Sequence, residues 1–476
     1  MNETASPQRA VWTWIAALVG VFMVAIDTLV VTNALPVIRV DLHAGLPDLE
    51  WTVNAYTLTF AVFLLSAASL ADRFGRRRVF AIGMLVFTAA SAAAAAAPDV
   101  ETLIAARAVQ GLGAAVVLPL TLTLLTSVVP PEKRGHAFGI WGAMVGLGVA
   151  LGPVIGGSIT QYWSWNWIFW INVPVGVLLL PMLLRVRESR GGAGRLDVIG
   201  TLVVTVGLLG IVYGLIRSEG SGWSDPLTVV AVGGGALLVL LFLVWEGRTR
   251  APMLPLGLFR DRGFSLSAAI ALIMPFGMFG SVFFGAQYLQ TVLGYGPLEA
   301  GVRTLPWTAM PMIAAPVSGV LTERLGGRPL LIVGLALQTA GIGWLAAVEG
   351  THTAYWHLVP PFVLAGVGMG LFLPAIARVA IGSAPANMEG VASGVTNALR
   401  QLGTVLGVTT LATIFAHYGG YLTKDSFVDG MVPAHYVGAA VLGVGTLLAV
   451  LLPGRRPVEQ QSETSPVGVA DPALTR

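Results

Sequence analysis

The 476-residue chain has no cysteine, which excludes a disulfide framework and any thiolate metal site. Charge is scarce: Asp, Glu, Lys and Arg make up 11% of residues, against roughly 25% in a soluble domain. Lysine is nearly missing, with two residues against 25 arginines. No Gly-rich phosphate-binding loop occurs, which argues against an ATP-driven pump. Histidines are few, and His352, His357, His417 and His435 fall near span ends or loops without the spacing of a metal site, so solvated histidines are expected there. The basic residues sit in short loops, so the net charge of +3 gives no sign of a nucleic-acid partner.

Apolar runs fill the chain. Hydrophobic residues reach 55%, and the mean hydropathy is +0.79. Many runs approach the ~20 residues that cross a bilayer as a helix, so the expected class is an all-α polytopic membrane protein. Fourteen spans are predicted near 12–35, 51–70, 79–97, 101–127, 136–160, 165–184, 197–217, 227–245, 264–292, 298–321, 330–348, 356–380, 390–416 and 434–453. The first run is too long for a signal-peptide core and reads as a retained helix. With the N-terminus in the cytoplasm, the inside loops, tails and helix ends hold 21 Lys/Arg, among them Lys133, Arg195 and Arg250. The outside holds four, Arg39, Arg217, Arg303 and Lys424, and Arg107 and Arg400 fall within spans. By the positive-inside rule both termini are cytoplasmic.

The sequence also repeats. Ala71-Asp72-Arg73-Phe74-Gly75-Arg76-Arg77 returns as Thr322-Glu323-Arg324-Leu325-Gly326-Gly327-Arg328, and Gly111-Leu112-Gly113 with Pro119 returns as Gly366-Val367-Gly368 with Pro374. Two related six-helix bundles, 12–184 and 263–453, explain this. A linker at 185–262 carries two extra helices, and polar tails occupy 1–11 and 454–476, the latter expected to be disordered. Parallel duplicated halves are typical of rocking secondary transporters with a midplane substrate site.

Asp27 is the carboxylate deepest in an apolar run. An ionised acid there costs at least ~2.5–3.5 kcal/mol, so its retention points to a group that binds and releases a proton. Counted from the span ends at ~1.5 Å per residue, Asp27 lies ~12 Å and Arg107 ~9 Å from the outer side. An opposite charge favours the ionised carboxylate and desolvation disfavours it, so movement of Arg107 or wetting of the site would switch Asp27. A permanent structural ion pair is the alternative.

Four local patterns resemble the Major Facilitator Superfamily, in particular its fourteen-span drug:proton antiporters. They are Asp27-Thr28-Leu29-Val30-Val31-Thr32-Asn33-Ala34-Leu35-Pro36; Leu70-Ala71-Asp72-Arg73-Phe74-Gly75-Arg76-Arg77-Arg78; Arg107-Ala108-Val109-Gln110-Gly111; and Gly148-Val149-Ala150-Leu151-Gly152-Pro153-Val154-Ile155-Gly156-Gly157. Trp167-Ile168-Phe169-Trp170-Ile171-Asn172-Val173-Pro174 is similar as well. Ala68 stands where the loop signature has Gly, and Asn166 where the family often has Arg.

The resemblance implies two bundles plus two extra helices, and proton-driven export of an amphipathic drug or antibiotic across the cell inner membrane. It implies no enzyme activity and no cofactor, with protons as coupling ion, lipid and small-molecule partners, and a monomer. An exporter or uptake symporter of a specific metabolite is the alternative; the fifth-helix motif favours export. Asp27 and Arg107 are the proton-coupling candidates. Asp72, Arg73, Gly75, Arg76, Arg77, Glu323 and Arg324 are candidates for a gating latch, a buried acid–base pair at a tight Gly turn, although a topogenic anchor also explains the arginines. Gly148, Gly152, Pro153, Gly156 and Gly157 are read as a packing face with a hinge. Gln110, Phe283, Gln287, Asn397 and Arg400 are substrate-binding candidates, although a structural arginine bonded to carbonyls accounts for Arg400 equally well and a lipid-facing or core stripe for the aromatic residues of the ninth span. Phe362 and Ala365 stand where the first half has Arg107 and Gln110, so proton handling is expected in the first half alone.

Overall fold

A computed structural model describes residues 7–130, 134–190, 197–249, 252–385 and 388–454. The outer parts of both predicted tails (1–6 and 455–476), Lys133, Arg195 and Arg250 lie outside the described residues. Among those described there is no strand, and eleven helices are long and apolar enough to cross a membrane.

The first half contains α1 (Pro7–Asp41), α2 (Leu46–Phe74), α3 (Arg76–Ala95), α4 (Val100–Val128), α5 (Arg134–Tyr162), α6 (Trp167–Trp170) and α7 (Asn172–Leu183). Helices α8 (Val198–Ser221) and α9 (Pro226–Glu246) pack mainly on each other. The second half contains α10 (Arg262–Gln287), α11 (Pro297–Arg303), α12 (Leu305–Thr308), α13 (Met310–Leu325), α14 (Gly327–Val348), α15 (Tyr355–Gly382), α16 (Glu389–Tyr418) and α17 (Lys424–Val450).

Three predicted spans differ from simple rods, with proline at two of them. The segment predicted at 165–184 breaks between Trp170 and Asn172, just before Pro174. That at 298–321 breaks at Thr304 and Ala309, just before Pro306 and Pro311. Proline lacks the N–H that would continue a helix but suits its first turn. The one predicted at 264–292 ends in a π-helical turn, Tyr288–Val292. Conversely, α1 runs on through Pro36 to Asp41, so its predicted end at 35 falls short.

Glycines explain how the helices approach. In α4, a Cβ on Gly111 would lie 2.2 Å from the Tyr56 carbonyl of α2, and one on Gly113 would lie 2.6 Å from the Phe87 nitrogen of α3. In α15, Gly366 meets the Trp307 carbonyl of α12 at 2.3 Å and Gly368 the Gly334 carbonyl of α14 at 2.4 Å. The two repeated glycine pairs thus make corresponding contacts. The same holds for whole helices: α5 packs on α1 as α16 packs on α10.

One apolar cluster joins both halves at the end opposite the arginine-rich loops, from Val30 and Ile38 to Met278, Leu289 and Ala300. Toward the arginine-rich end the first half has a cluster around Phe80, Met84 and Leu120 that takes in one residue of the second half, Ala398. There α5 buries little, and a Cβ at Gly139 or Gly142 would meet no atom within 4 Å. The halves are therefore joined tightly at one end and loosely at the other.

Candidate proton site and central cavity

Asp27 and Arg107 are in contact. Arg107 Nη1 donates to Asp27 Oδ2 at 2.5 Å and to Gln110 Oε1 at 2.7 Å, and its Nε donates to the Thr52 carbonyl at 3.2 Å. Gln110 Nε2 donates to Asp27 Oδ1 and to Ser91 Oγ, each at 2.8 Å, and Asn172 Nδ2 reaches Asp27 Oδ1 at 3.3 Å. The guanidinium also lies over the Tyr56 ring, 4.1 Å from its centroid. Asp27 is fully buried and Arg107 is 2% exposed. Each local element has a role: the α6–α7 break brings Asn172 to the start of a helix facing Asp27, and one turn of α4 presents Arg107 and Gln110 together. Gln110, expected to touch substrate, instead completes the carboxylate's hydrogen bonding.

This network adjoins a cavity with two lobes that share Thr32 and Val282. One lobe is lined by Arg107, Tyr56, Phe279, Phe283, Thr404 and Val408 among others. The other is lined by Asn33, Pro153, Trp307, Thr308 and Phe362 among others. Phe362, which replaces Arg107 in the repeat, stacks on Trp307 at 5.3 Å between centroids. Both walls are mostly apolar and aromatic with a few polar groups, the kind of lining that small-molecule sites have. Phe283 faces the cavity. Gln287 is buried, donating to the Phe283 carbonyl and accepting from the Tyr421 hydroxyl. Asn397 donates to the Ser393 carbonyl and accepts from Arg400.

The Gly148–Gly157 stretch has two faces. Gly148, Gly152 and Gly156 lie against Ala25, Leu29 and Val30 of α1 at Cβ separations of 2.7–3.0 Å. Pro153 and Gly157 instead face the second half. A Cβ on Gly157 would lie 2.2 Å from the Pro297 carbonyl, and Gly301 approaches the Pro153 carbonyl equally closely. Asn33 Nδ2 donates to the carbonyls of Pro153 (2.9 Å) and Pro297 (3.0 Å), and Gln290 Nε2 donates to the Asn33 carbonyl at 2.8 Å. These bonds close the cavity at the end away from the arginine-rich loops.

The Asp72 loop is arranged differently from a buried latch. Asp72 accepts from Arg76 Nε and Nη2, both at 2.9 Å, and the two side chains are 35% and 26% exposed. Gly75 joins α2 to α3 at φ +107°, a conformation in which a side chain is strained. The third partner is Glu188, beyond α7. It accepts from the backbone N–H of Arg77 (2.9 Å) and Arg78 (3.3 Å), and so neutralises the start of α3. Arg73 lies over Phe74. In the repeat, Gly326 has φ +84° between α13 and α14, beside Glu323 and Arg324.

Among the described residues, sequence reasoning missed three buried carboxylates besides Asp27: Glu50, Glu246 and Glu349, each near a helix end. Glu349 Oε2 lies 2.7 Å from His435 Nδ1, and both side chains are at most 1% exposed. The expectation of a solvated His435 is therefore overturned, because α17 carries it into the interior against α14 and the Ser281 carbonyl of α10. The only sequence signal was an isolated Glu and His at span ends.

The chain resembles known transporters throughout. The model for the Major Facilitator Superfamily matches residues 17–408. The tetracenomycin C resistance and export protein of Streptomyces glaucescens is 35% identical over 428 residues, covering 88% of this chain and 79% of that protein. The puromycin resistance protein pur8 of Streptomyces alboniger is 37% identical over 457 residues, 93% and 90% respectively. Among solved structures, a POT family transporter in complex with a thioalcohol-conjugated peptide aligns at TM-score 0.69 and 14% identity, covering 93% of this chain and 95% of that one. The xylose transporter XylE from E. coli, in a partially occluded inward-open conformation, aligns at 0.65 and 14%, covering 94% and 98%. This chain, all-helical in class among its described residues, belongs to the Major Facilitator Superfamily and is a transporter rather than an enzyme.

Proposed function

We propose that this transporter exports hydrophobic or amphipathic small molecules of the drug and antibiotic class in exchange for protons, by alternating access. It does so with fourteen spans in the cell inner membrane, both termini in the cytoplasm, and it acts as a monomer. The drug- and antibiotic-resistance names of its relatives support the cargo class. The arginine-rich loops support the orientation. Under that orientation the closed end is extracellular and the loosely joined end is cytoplasmic, so the cavity faces inward.

The observation that carries proton coupling is the fully buried Asp27, held by Arg107, Gln110 and Asn172 beside the cavity. When the bundles rock outward, water reaches the carboxylate and the lower external pH protonates it. The proton is released inward after the return, as Arg107 regains its counter-charge. Substrate and proton occupy opposite phases of the cycle, and the inward proton gradient drives export. The test is Asp27→Asn in proteoliposomes: substrate binding and downhill leak persist, and pH-driven accumulation is lost. Accumulation retained by that variant would refute the proposal. A panel of toxic compounds in a pump-deleted host, with and without a protonophore, then defines the cargo.

A further inference from the structure

Arg400 lies in α16, and its only hydrogen-bond acceptor among the described residues is Asn397 Oδ1, at 3.2 Å from Nη1. Its Nε is buried with no partner. A guanidinium has five N–H donors and does not lose its charge, so most of this group's bonding capacity is unmet within the protein. Elsewhere in the core the other deep arginine, Arg107, is matched by a carboxylate, an amide and a carbonyl.

Arg400 lies on the face of α16 that lines the cavity one and two turns further on. Gly403 and Gly407 press against the Leu272 and Phe276 carbonyls of α10. Val405 packs with Leu58 and Val62, and Thr409 accepts from Asn54, all on α2. Between these two packed faces runs a stripe of Arg400, Thr404 and Val408, spaced by four residues. Thr404 and Val408 line the cavity lobe that contains Arg107. Arg400 is one turn further along the same stripe, toward the arginine-rich end.

The charge balance of the cavity is one-sided. No carboxylate lines either lobe, and Asp27 is enclosed by its own partners. The Trp307 indole N–H, in a residue that lines the second lobe, is another buried donor without an acceptor. The remaining wall is apolar and aromatic. Such a site suits a flat apolar body carrying an acceptor group of negative charge.

We infer that Arg400 is the anchor for an anionic group of the cargo, a carboxylate or phenolate on an aromatic amphipath, and that the transporter selects acidic over cationic molecules. This rests on the export function proposed above and names its substrate class. Because Asp27 lines neither lobe, proton and anion share no group, and they exclude one another by requiring different states of the bundles. Export of one anion against one proton moves two positive charges inward, so membrane potential and pH gradient both drive it. Exchange of a monocation for one proton would be electroneutral.

The test uses inside-out membrane vesicles with an acid, electrically positive interior and two dyes on one xanthene skeleton. Fluorescein is anionic and rhodamine 6G is cationic. Vesicles with the full chain are expected to accumulate fluorescein over rhodamine 6G, and more so when an imposed potential is added to the pH gradient. Arg400→Gln is expected to lower fluorescein transport by about 10–100-fold, the range of a lost charge-assisted hydrogen bond, and Arg400→Lys to restore part of it. Equal amounts of folded protein in the membrane and unchanged thermal midpoints establish that both variants are folded. Accumulation of rhodamine 6G alone, of both dyes equally or of neither, or fluorescein transport unaffected in Arg400→Gln, overturns the assignment. Rhodamine 6G accumulation that a protonophore abolishes leaves proton-driven export standing while removing Arg400 as an anion anchor. Fluorescein accumulation that is insensitive to the protonophore does the reverse.

Discussion

Removing His435 should destabilise the second half far more than removing both members of its buried pair. His435 Nδ1 and Glu349 Oε2 are 2.7 Å apart, and the side chains are 0% and 1% exposed. At an effective dielectric constant of ~20, two unit charges at that distance attract by about 6 kcal/mol, before the cost of taking both out of water. The net worth of the pair is therefore small. Breaking it from one side strands the other group where water cannot reach it, at about 3–5 kcal/mol. For a unit of ~150–250 residues, 1 kcal/mol shifts the midpoint by ~2–4 °C, so His435→Ala should unfold about 10 °C earlier. Glu349→Gln, which keeps an acceptor, should cost less. The Glu349→Gln/His435→Ala double variant should recover most of the loss, with a coupling energy of about 2–3 kcal/mol. The assay is thermal unfolding of the purified full chain in detergent, followed by fluorescence, for all four proteins. Additive losses, or single variants within ~0.5 kcal/mol of the parent, would refute a buried and coupled pair.

The remaining predictions concern other parts of the molecule. Gly157→Ala should hinder closure of the α5–α11 crossing; since the chain has no cysteine, labelling of a Thr32→Cys probe by an impermeant maleimide should rise, and unchanged labelling would count against that seal. Glu188→Ala should loosen the start of α3 by about 1 kcal/mol, the scale of a lost terminal cap, seen as faster amide exchange at residues 76–79. Asp225 is held below its ordinary value by the bond from Arg217, helped by the Thr228 backbone. A depressed carboxylate stabilises the folded state above its unfolded value of ~3.9 and loses that contribution as pH falls through the folded value; the α8–α9 turn should therefore loosen only below about pH 4, with a change in Trp223 fluorescence that Asp225→Asn shows at neutral pH.

Much of this architecture is legible in the sequence because the bilayer imposes simple costs. A carboxylate and an arginine inside apolar runs are expensive, so Asp27 and Arg107 stand out, and their pairing follows from similar depth together with the family resemblance, which puts both helices around one cavity. The glycine repeats are legible because only glycine permits the backbone approaches that α4 and α15 both make. What escapes notice is whatever depends on three-dimensional meeting of distant segments. Glu349 and His435 are 86 residues apart and sit at span ends, where solvation is the natural assumption. Glu188 follows a different helix from the arginine loop that it caps. The end of α1 is not legible because a proline usually marks a boundary, whereas Pro36 lies inside the helix, which continues to Asp41. Fragmentation at Thr304 and Ala309 follows the prolines, but its extent depends on how α11 and α12 fit against α5.

Helix α1 links the proton site to the closed end of the cavity. Asp27 and Asn33 are six residues apart on it, so the carboxylate and the cross-bundle clasp are less than two turns from each other. The glycines at 148, 152 and 156 bring α5 into backbone contact with the same stretch of α1, and such close packing makes the two helices move as one. Pro153 and Gly157, on the other face of α5, touch the second half. A change in how Asp27 binds Arg107 therefore acts on α1 against α4, and any shift of α1 carries both Asn33 and the Pro153 carbonyl relative to Pro297. The clasp has few polar bonds and they are neutral, so it is weak enough to open. The Asp27 network is charged and buried, so a change in its protonation involves several kcal/mol. The larger of these two energies can set the state of the smaller, which is the ordering a proton-driven switch requires.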